Sequence, residues 1–317
     1  MLERRAGPDS TLSGGRASQV TRARTTRTRE SNVIPSRKFS SNIEQTYGRV
    51  AGMLKAKGQD TLVSKRRFAV QEFKERGYFK FEESELSDII SNELDIYLES
   101  LFPNLGKSDR FRHLDSIGYT QRKSSLRAFT LSGFLLPHLW SEPALALYAK
   151  LGVNSPTLEQ IPVTHFLSPQ AVQDAHIRSS QAKLITPPHQ DAVVTMGSKN
   201  QIVFFVVPRC SSKASLKLWP GSHIHGVLPW QEDPFSHSIV DIERLGPPKD
   251  VQVNPGELLA FSSYLAHSTN LTGDIRLALS WRVDDLSDSD WKLNAYSRES
   301  PKTLTNNRAV MLPKGFN

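Results

Sequence analysis

Cysteine is almost absent from this chain of 317 residues: Cys210 stands alone. An internal disulfide is therefore impossible, and a zinc site built from thiolates is excluded. Long apolar runs are missing too. No stretch approaches the ~20 residues that a membrane-spanning helix needs, and the N-terminus lacks the apolar block of a secretory leader. These absences lead to the expectation of a cytoplasmic protein with no membrane partner. Acidic residues are scarce in one place only. Residues 1–40 hold nine Arg and Lys against Glu3, Asp9 and Glu30, so +6 of the formal +8 net charge sits there and the rest of the chain is nearly neutral.

That basic segment is rich in Ser, Thr, Arg and Gly, and it has too few large apolar residues to offset the entropy of ordering. The reading is an N-terminal extension over 1–60, disordered and without a fixed role. A nucleic-acid or membrane-surface arm and an organelle transit peptide are the alternatives. The main domain is expected over 61–290, with a C-terminal extension over 291–317.

Within the domain the texture changes from helical to extended. Lys65 to Glu75 and Ser84 to Phe102 repeat apolar residues at spacings of three and four, as in Leu86, Ile89, Ile90, Leu94, Tyr97, Leu98 and Leu101. Ser84 is placed to cap the second helix, with Glu85 and Asp88 in its first turn. A third helix is expected over Glu142 to Leu151, capped by Ser141, with Pro143 in its first turn and Gly152 at its end. After Ile161, short strands and turns dominate. Ile202 to Val207 reads as a buried strand, and Leu216 to Leu218 leads to the turn Pro220-Gly221. Val251 to Val253 and Glu257 to Ser262 read as a strand pair around Asn254-Pro255-Gly256. Arg276 to Val283 alternates, with Leu277, Leu279, Trp281 and Val283 on one face. Helices followed by about eight short strands favour an α+β domain on a barrel or jelly roll.

One segment carries chemistry: Thr186-Pro187-Pro188-His189-Gln190-Asp191. Residues two apart on a strand point the same way, so His189 and Asp191 can present an imidazole and a carboxylate to one metal. His267 is well placed to supply a third donor. Two His and one carboxylate on one face of an octahedral ion leave three positions open, the preference of non-haem Fe(II) oxygenases. Nine residues beyond His267, the next strand opens with Arg276. Its planar, permanently charged fork suits the far carboxylate of a metal-bound dicarboxylate. A short turn between two paired strands would bring His267 and Arg276 together. Rival donors exist in His223 and His225, a second pair two residues apart after Pro220-Gly221-Ser222. His165 and His176 are candidates to line the pocket, and His113, His138 and His237 have no motif around them.

Four stretches in order resemble the phytanoyl-CoA dioxygenase family of Fe(II)/2-oxoglutarate oxygenases. They are Phe73-Lys74-Glu75-Arg76-Gly77-Tyr78, Pro188-His189-Gln190-Asp191, Leu218-Trp219-Pro220-Gly221-Ser222-His223, and Gly256-Glu257 through His267 to Arg276. The resemblance spans roughly residues 68–285. It implies a double-stranded β-helix (jelly-roll, cupin-like) core with flanking N-terminal helices. It also implies His189, Asp191 and His267 as iron ligands, Arg276 on 2-oxoglutarate, and O2 as the oxidant. Arg282, six residues on and on the same strand face, is the fallback for the dicarboxylate. The carboxylate at Asp191 speaks against a halogenase, in which that position is vacated. The expected reaction is hydroxylation, or another oxidation, of an unactivated C–H bond in a small molecule of amino-acid or secondary metabolism. Arg178, Gln181, Lys183 and Trp281 are substrate-pocket candidates. The alternatives are a cupin-like metal protein that uses no 2-oxoglutarate and an oxygenase of macromolecules.

Overall fold

Apolar periodicity decides the first layer. In this computed structural model, which describes residues 59–158, 162–171, 186–195, 197–211, 214–233, 236–270 and 275–291, the chain opens with α1 (Gln59–Arg76). The two terminal extensions expected from the sequence lie almost wholly outside the described residues. Helix α2 (Glu85–Leu101) starts at Ser84, whose hydroxyl accepts a hydrogen bond from the Ser87 amide, as the sequence predicts. Its buried stripe of Leu86, Ile90, Leu94 and Leu98 is at most 2% exposed. Each such side chain contributes about 1.5–3 kcal/mol on burial, enough to dock the helix firmly. Three more helices follow, α3 (Lys107–Ser116), α4 (Tyr119–Leu131) and α5 (Glu142–Lys150). At α5 the expected side-chain cap does not form. The Ser141 hydroxyl donates instead to the carbonyl of His138, in the 3-10 turn Leu136–Trp140. Among the described residues no helix is long and apolar enough to cross a membrane.

The strands form two main antiparallel sheets. The larger has the order β1 (Tyr78–Phe81), β9 (Leu258–Ser262), β4 (Ile202–Cys210), β11 (Arg276–Asp285) and β2 (Pro156–Leu158), with β3 (Val163–Leu167) also paired to β11. The smaller has the order β10 (His267–Thr269), β5 (Ser215–Leu218), β8 (Lys249–Gln252). A separate hairpin joins β6 (Trp230–Asp233) and β7 (Ser236–Ile239). β8 and β9, expected from the sequence as a pair, do not pair with each other. β8 lies against β5 and β9 against β1 and β4, so the Asn254-Pro255-Gly256 turn carries the chain from one sheet to the other.

Burial on both faces of the large sheet explains why its strands read as continuous apolar runs. Phe204, Val206, Leu277, Leu279, Trp281 and Val283 face the helices, where they meet Leu86, Ile90 and Leu94. Val203, Phe205, Val207 and Ala278 face the small sheet, against Leu216, Leu218 and Val251. β4 slips by one residue between its contacts with Leu277 and Leu279, opposite Arg209 and Val206. Pro208 falls in that bulge, where its missing amide costs no ladder hydrogen bond.

Candidate metal centre

His189 and His267 come together through the backbone before any side chain is considered. Each donates its amide to the other's carbonyl, at 2.9 and 3.0 Å, forming an isolated antiparallel bridge. Residues opposite one another in such a pair project to the same face. The two imidazole centroids are 4.2 Å apart. Asp191 is held on the same side because its carbonyl accepts the amides of Val194 and Thr195, starting the helical turn α6 (Ala192–Thr195).

Side-chain hydrogen bonds then aim the donors. His189 Nδ1 lies 2.7 Å from the Pro187 carbonyl and His267 Nδ1 lies 2.9 Å from the Leu265 carbonyl. A carbonyl can only accept, so each Nδ1 carries a proton, and each Nε2 is the atom turned towards Asp191. Asp191 Oδ1 is 3.5 Å from His189 Nε2 and 3.8 Å from His267 Nε2. The three donor atoms lie within 4.8 Å of one another, and all three residues are buried. Among the described residues this is the one group of His, Cys, Asp and Glu with such geometry. Burial pushes His267 down to about 3, reinforced by the neighbouring His189, so its ring is neutral at ordinary pH. Burial alone would raise the Asp191 carboxyl, but the Arg282 guanidinium holds it well below the usual carboxylate range. A neutral imidazole at His267 and a carboxylate at Asp191 are protonation states that a divalent cation requires.

Two residues that the sequence left without a role support this arrangement. Gln190, fully buried between the donors, donates to the carbonyls of Gly226 and Tyr264 and accepts from the Leu228 amide. His237, on β7, donates from Nε2 to the Gln190 carbonyl at 2.9 Å, and its ring meets His189 edge-on at 5.5 Å. The Ile239 amide bonds the Pro188 carbonyl, so the β6–β7 hairpin is clamped along the donor segment. The alternation of His189-Gln190-Asp191 would have pointed to Gln190 as an anchor facing the other way. Nothing in the local sequence signals His237.

The rival pair is not a donor set. His223 donates from Nε2 to the Lys74 carbonyl and packs against Gly77, while His225 is exposed. Gly77 ends α1 at φ +80°, and a Cβ there would sit 2.5 Å from His223 Nδ1. Ser222 accepts the Ala266 amide and the Trp219 amide bonds the Ala266 carbonyl. The Pro-Gly-Ser-His turn thus braces the residue preceding His267.

Arg276 and His267 are not on paired strands, contrary to the expectation. β10 pairs with β5 in the small sheet, and β11 belongs to the large one. They approach across the space between sheets. Arg276 donates from Nη1 to the Ser215 carbonyl at 2.9 Å, and His267 pairs with Leu218 of the same strand. Three residues along β5 is roughly 10 Å. Arg276 is 2% exposed, its Nε has no partner, and no carboxylate among the described residues pairs with it. Burial lowers it to about 10, which leaves it charged at neutral pH. It borders a cavity of about 160 Å³ also lined by Tyr119, Arg122, Lys123, His165 and Thr269, with no acidic side chain among the described residues of its wall. His165 bonds Ser280 at 3.0 Å through Nε2, and burial followed by the charges of Arg282 and Arg276 pushes it down to about 4.

Arg282 does something else. Its Nε and Nη2 both donate to Asp191 Oδ2, at 3.0 and 2.6 Å. It is therefore engaged by the donor set through Nε and Nη2, unlike Arg276, and is placed less well than Arg276 for the fallback role on a dicarboxylate. Trp281 is no pocket residue either. It lies on the opposite face of β11, stacked on Phe204, with its indole N–H donated to Tyr148 Oη at 3.0 Å. Arg178, Gln181, Lys183 and His176 lie outside the described residues.

No family model matches the sequence, so the likeness to phytanoyl-CoA dioxygenases stays one of motifs, and no curated protein matches it significantly. Solved structures are similar only loosely. The α-ketoglutarate-dependent epimerase SnoN from nogalamycin biosynthesis superposes with a TM-score of 0.44 at 16% identity, over 70% of this chain and 81% of that one. EctD from S. alaskensis, solved with 2-oxoglutarate and 5-hydroxyectoine, gives 0.44 at 15% identity, over 70% and 76%. The apo non-haem monooxygenase ThoJ gives 0.39 at 16%, over 68% and 77%. Superpositions this loose leave the chemistry to be read from the site's own residues, and those residues form a buried, preorganised His-Asp-His donor set.

Proposed function

We propose that this chain is a non-haem Fe(II), 2-oxoglutarate-dependent oxygenase of the phytanoyl-CoA dioxygenase type, and that its two main sheets form a jelly-roll core. The observation that carries the reading is a pairing: a buried three-donor set, with a buried Arg276 that meets no carboxylate among the described residues, roughly 10 Å away along β5. Leaving a guanidinium buried without a counter-charge costs several kcal/mol, so such a group is retained where an anion arrives. Arg276 would receive the far carboxylate of a dicarboxylate bound at the donor set.

The donor set fits iron by its chemistry: two imidazoles and a carboxylate with positions left open are the facial triad of Fe(II) oxygenases. Iron with 2-oxoglutarate and O2 supplies the oxidant that takes hydrogen from a substrate C–H bond. The chain's own residues bind and orient. His189, Asp191 and His267 hold the metal, Pro187 and Leu265 carbonyls fix the ring tautomers, and Arg276 with Thr269 receives the distal carboxylate. Packing of Val203, Phe205, Leu216 and Leu218 between the sheets keeps bulk water from the site. The substrate class we favour is a small molecule, with hydroxylation as the reaction. The test is turnover of 2-oxoglutarate to succinate by purified protein with Fe(II) and O2 across a panel of small-molecule candidates. Succinate should form with the wild type and fall to background in His189→Ala. Metal binding without any succinate would favour the cupin-like alternative.

A further inference from the structure

Asp191 has two oxygens, and the molecule treats them differently. Oδ1 faces the Nε2 atoms of His189 and His267, whereas Oδ2 accepts two hydrogen bonds from Arg282. The arrangement is built into the fold. Arg282 is fixed opposite Val203 in the β4–β11 ladder and is 8% exposed. Asp191 is 7% exposed and anchored by the α6 turn, and the Ala192 amide bonds the Ser263 carbonyl. Backbone pairing on both sides thus fixes the two positions from which these side chains meet.

A carboxylate can bind a metal through one oxygen or two. With two it would occupy a fourth position and leave only two open. A chelating keto acid fills two positions and O2 needs a third, so a two-oxygen Asp would close the site to one of them. We infer that Arg282 is a positioning residue that confines Asp191 to one-oxygen ligation by engaging Oδ2 from both Nε and Nη2. This rests on the metal site proposed above and deepens it. Oδ2 already accepts two charge-assisted N–H groups, and turning it to the metal would forfeit both and strand the buried guanidinium, whose Nη1 already has no partner. The same strand face therefore separates two tasks: Arg282 governs how the metal is held, and Arg276 waits for an anion.

The test uses Mn(II) as the probe on the full chain. Enhancement of water-proton relaxation counts the exchangeable waters on the bound ion, and titration gives its affinity. Wild type should show about three waters, the positions left open by a facial triad. Arg282→Ala should lose about one of them, as Oδ2 turns to the metal, and should bind Mn(II) roughly 10- to 100-fold more weakly through loss of orientation. Arg282→Gln, which keeps a single N–H donor and similar bulk, is the second variant should the alanine fail to fold; it should lie between the two. His189→Ala is the control for the site itself. Wild type and folded Arg282 variants with equal affinity and equal hydration, beside a His189→Ala that no longer binds, would overturn the role of Arg282 and leave the proposed function standing. A wild type that does not bind Mn(II) at all would overturn both.

Discussion

Arg276 and Arg282 stand six residues apart on one face of β11, and both are buried, yet their surroundings differ in kind. Arg282 gives two hydrogen bonds to the carboxylate of Asp191. Arg276 has one carbonyl, that of Ser215, and an Nε with nothing to donate to among the described residues. A charge at the first end is balanced by Asp191, and a charge at the second meets no carboxylate among the described residues. The difference teaches how one strand can build a site. Register places both side chains between the sheets, and what separates their tasks is the partner each finds there.

The hardest blow to this contrast is removal of the donors themselves. Asp191→Ala strips Arg282 of its partner and the metal of its carboxylate, so Fe(II) binding and any succinate formation should fall to background, measured by metal content after desalting. Retained metal would mean that the donor set is wrong. Next in size is the far side of the same strand. Trp281→Ala should cost about 3–5 kcal/mol in urea unfolding through the cavity left between Phe204 and Tyr148, with the KM for 2-oxoglutarate unchanged. A changed KM would put Trp281 in the site after all.

His165 sits between the two arginines in register, opposite Ala278, and tests their joint field. Its pKa is about 4 in the folded protein against an ordinary 6.5. Between those values the unfolded chain binds a proton that the folded one refuses, so its contribution is fully present above about pH 6.5 and is lost as pH falls towards 4. In the metal-free protein His165 should account for up to about 3 kcal/mol of the loss over that window, beside the loss from His267, and His165→Gln should remove its share. An unaltered profile in the variant would place the acid sensitivity elsewhere. The smallest effect belongs to Arg276 itself. Arg276→Ala should leave Mn(II) affinity intact and raise the KM for 2-oxoglutarate about 10- to 100-fold, since a hydrogen bond to a charged group contributes roughly 1.5–3 kcal/mol.

Much of this was legible in the sequence because local rules governed it. The α2 stripe and its Ser84 cap follow from side-chain spacing, and the apolar run of β4 follows from burial on both faces. The His-x-Asp segment was legible as a donor pair by the rule of strand alternation, although the structure puts only His189 in a bridge and holds Asp191 at the start of α6. What escaped the sequence was which strand pairs with which. β8 and β9 look like a hairpin, as do β10 and β11, yet both turns cross between sheets, and a turn's residues do not record that choice. The same gap hid the Arg282–Asp191 contact, which joins residues 91 positions apart. His237 was illegible for the same reason, since a hairpin far along the chain carries it onto His189. Ser141 illustrates a smaller failure: cap chemistry was present, but the adjacent 3-10 turn offered the hydroxyl a carbonyl first.

The most direct measurement is the anaerobic visible spectrum of the purified protein on adding Fe(II) and then 2-oxoglutarate. A weak charge-transfer band on the second addition, absent in His189→Ala and weakened in Arg276→Ala, is the expected result. No band in a wild type with confirmed iron loading would contradict the claim that this site joins metal and dicarboxylate.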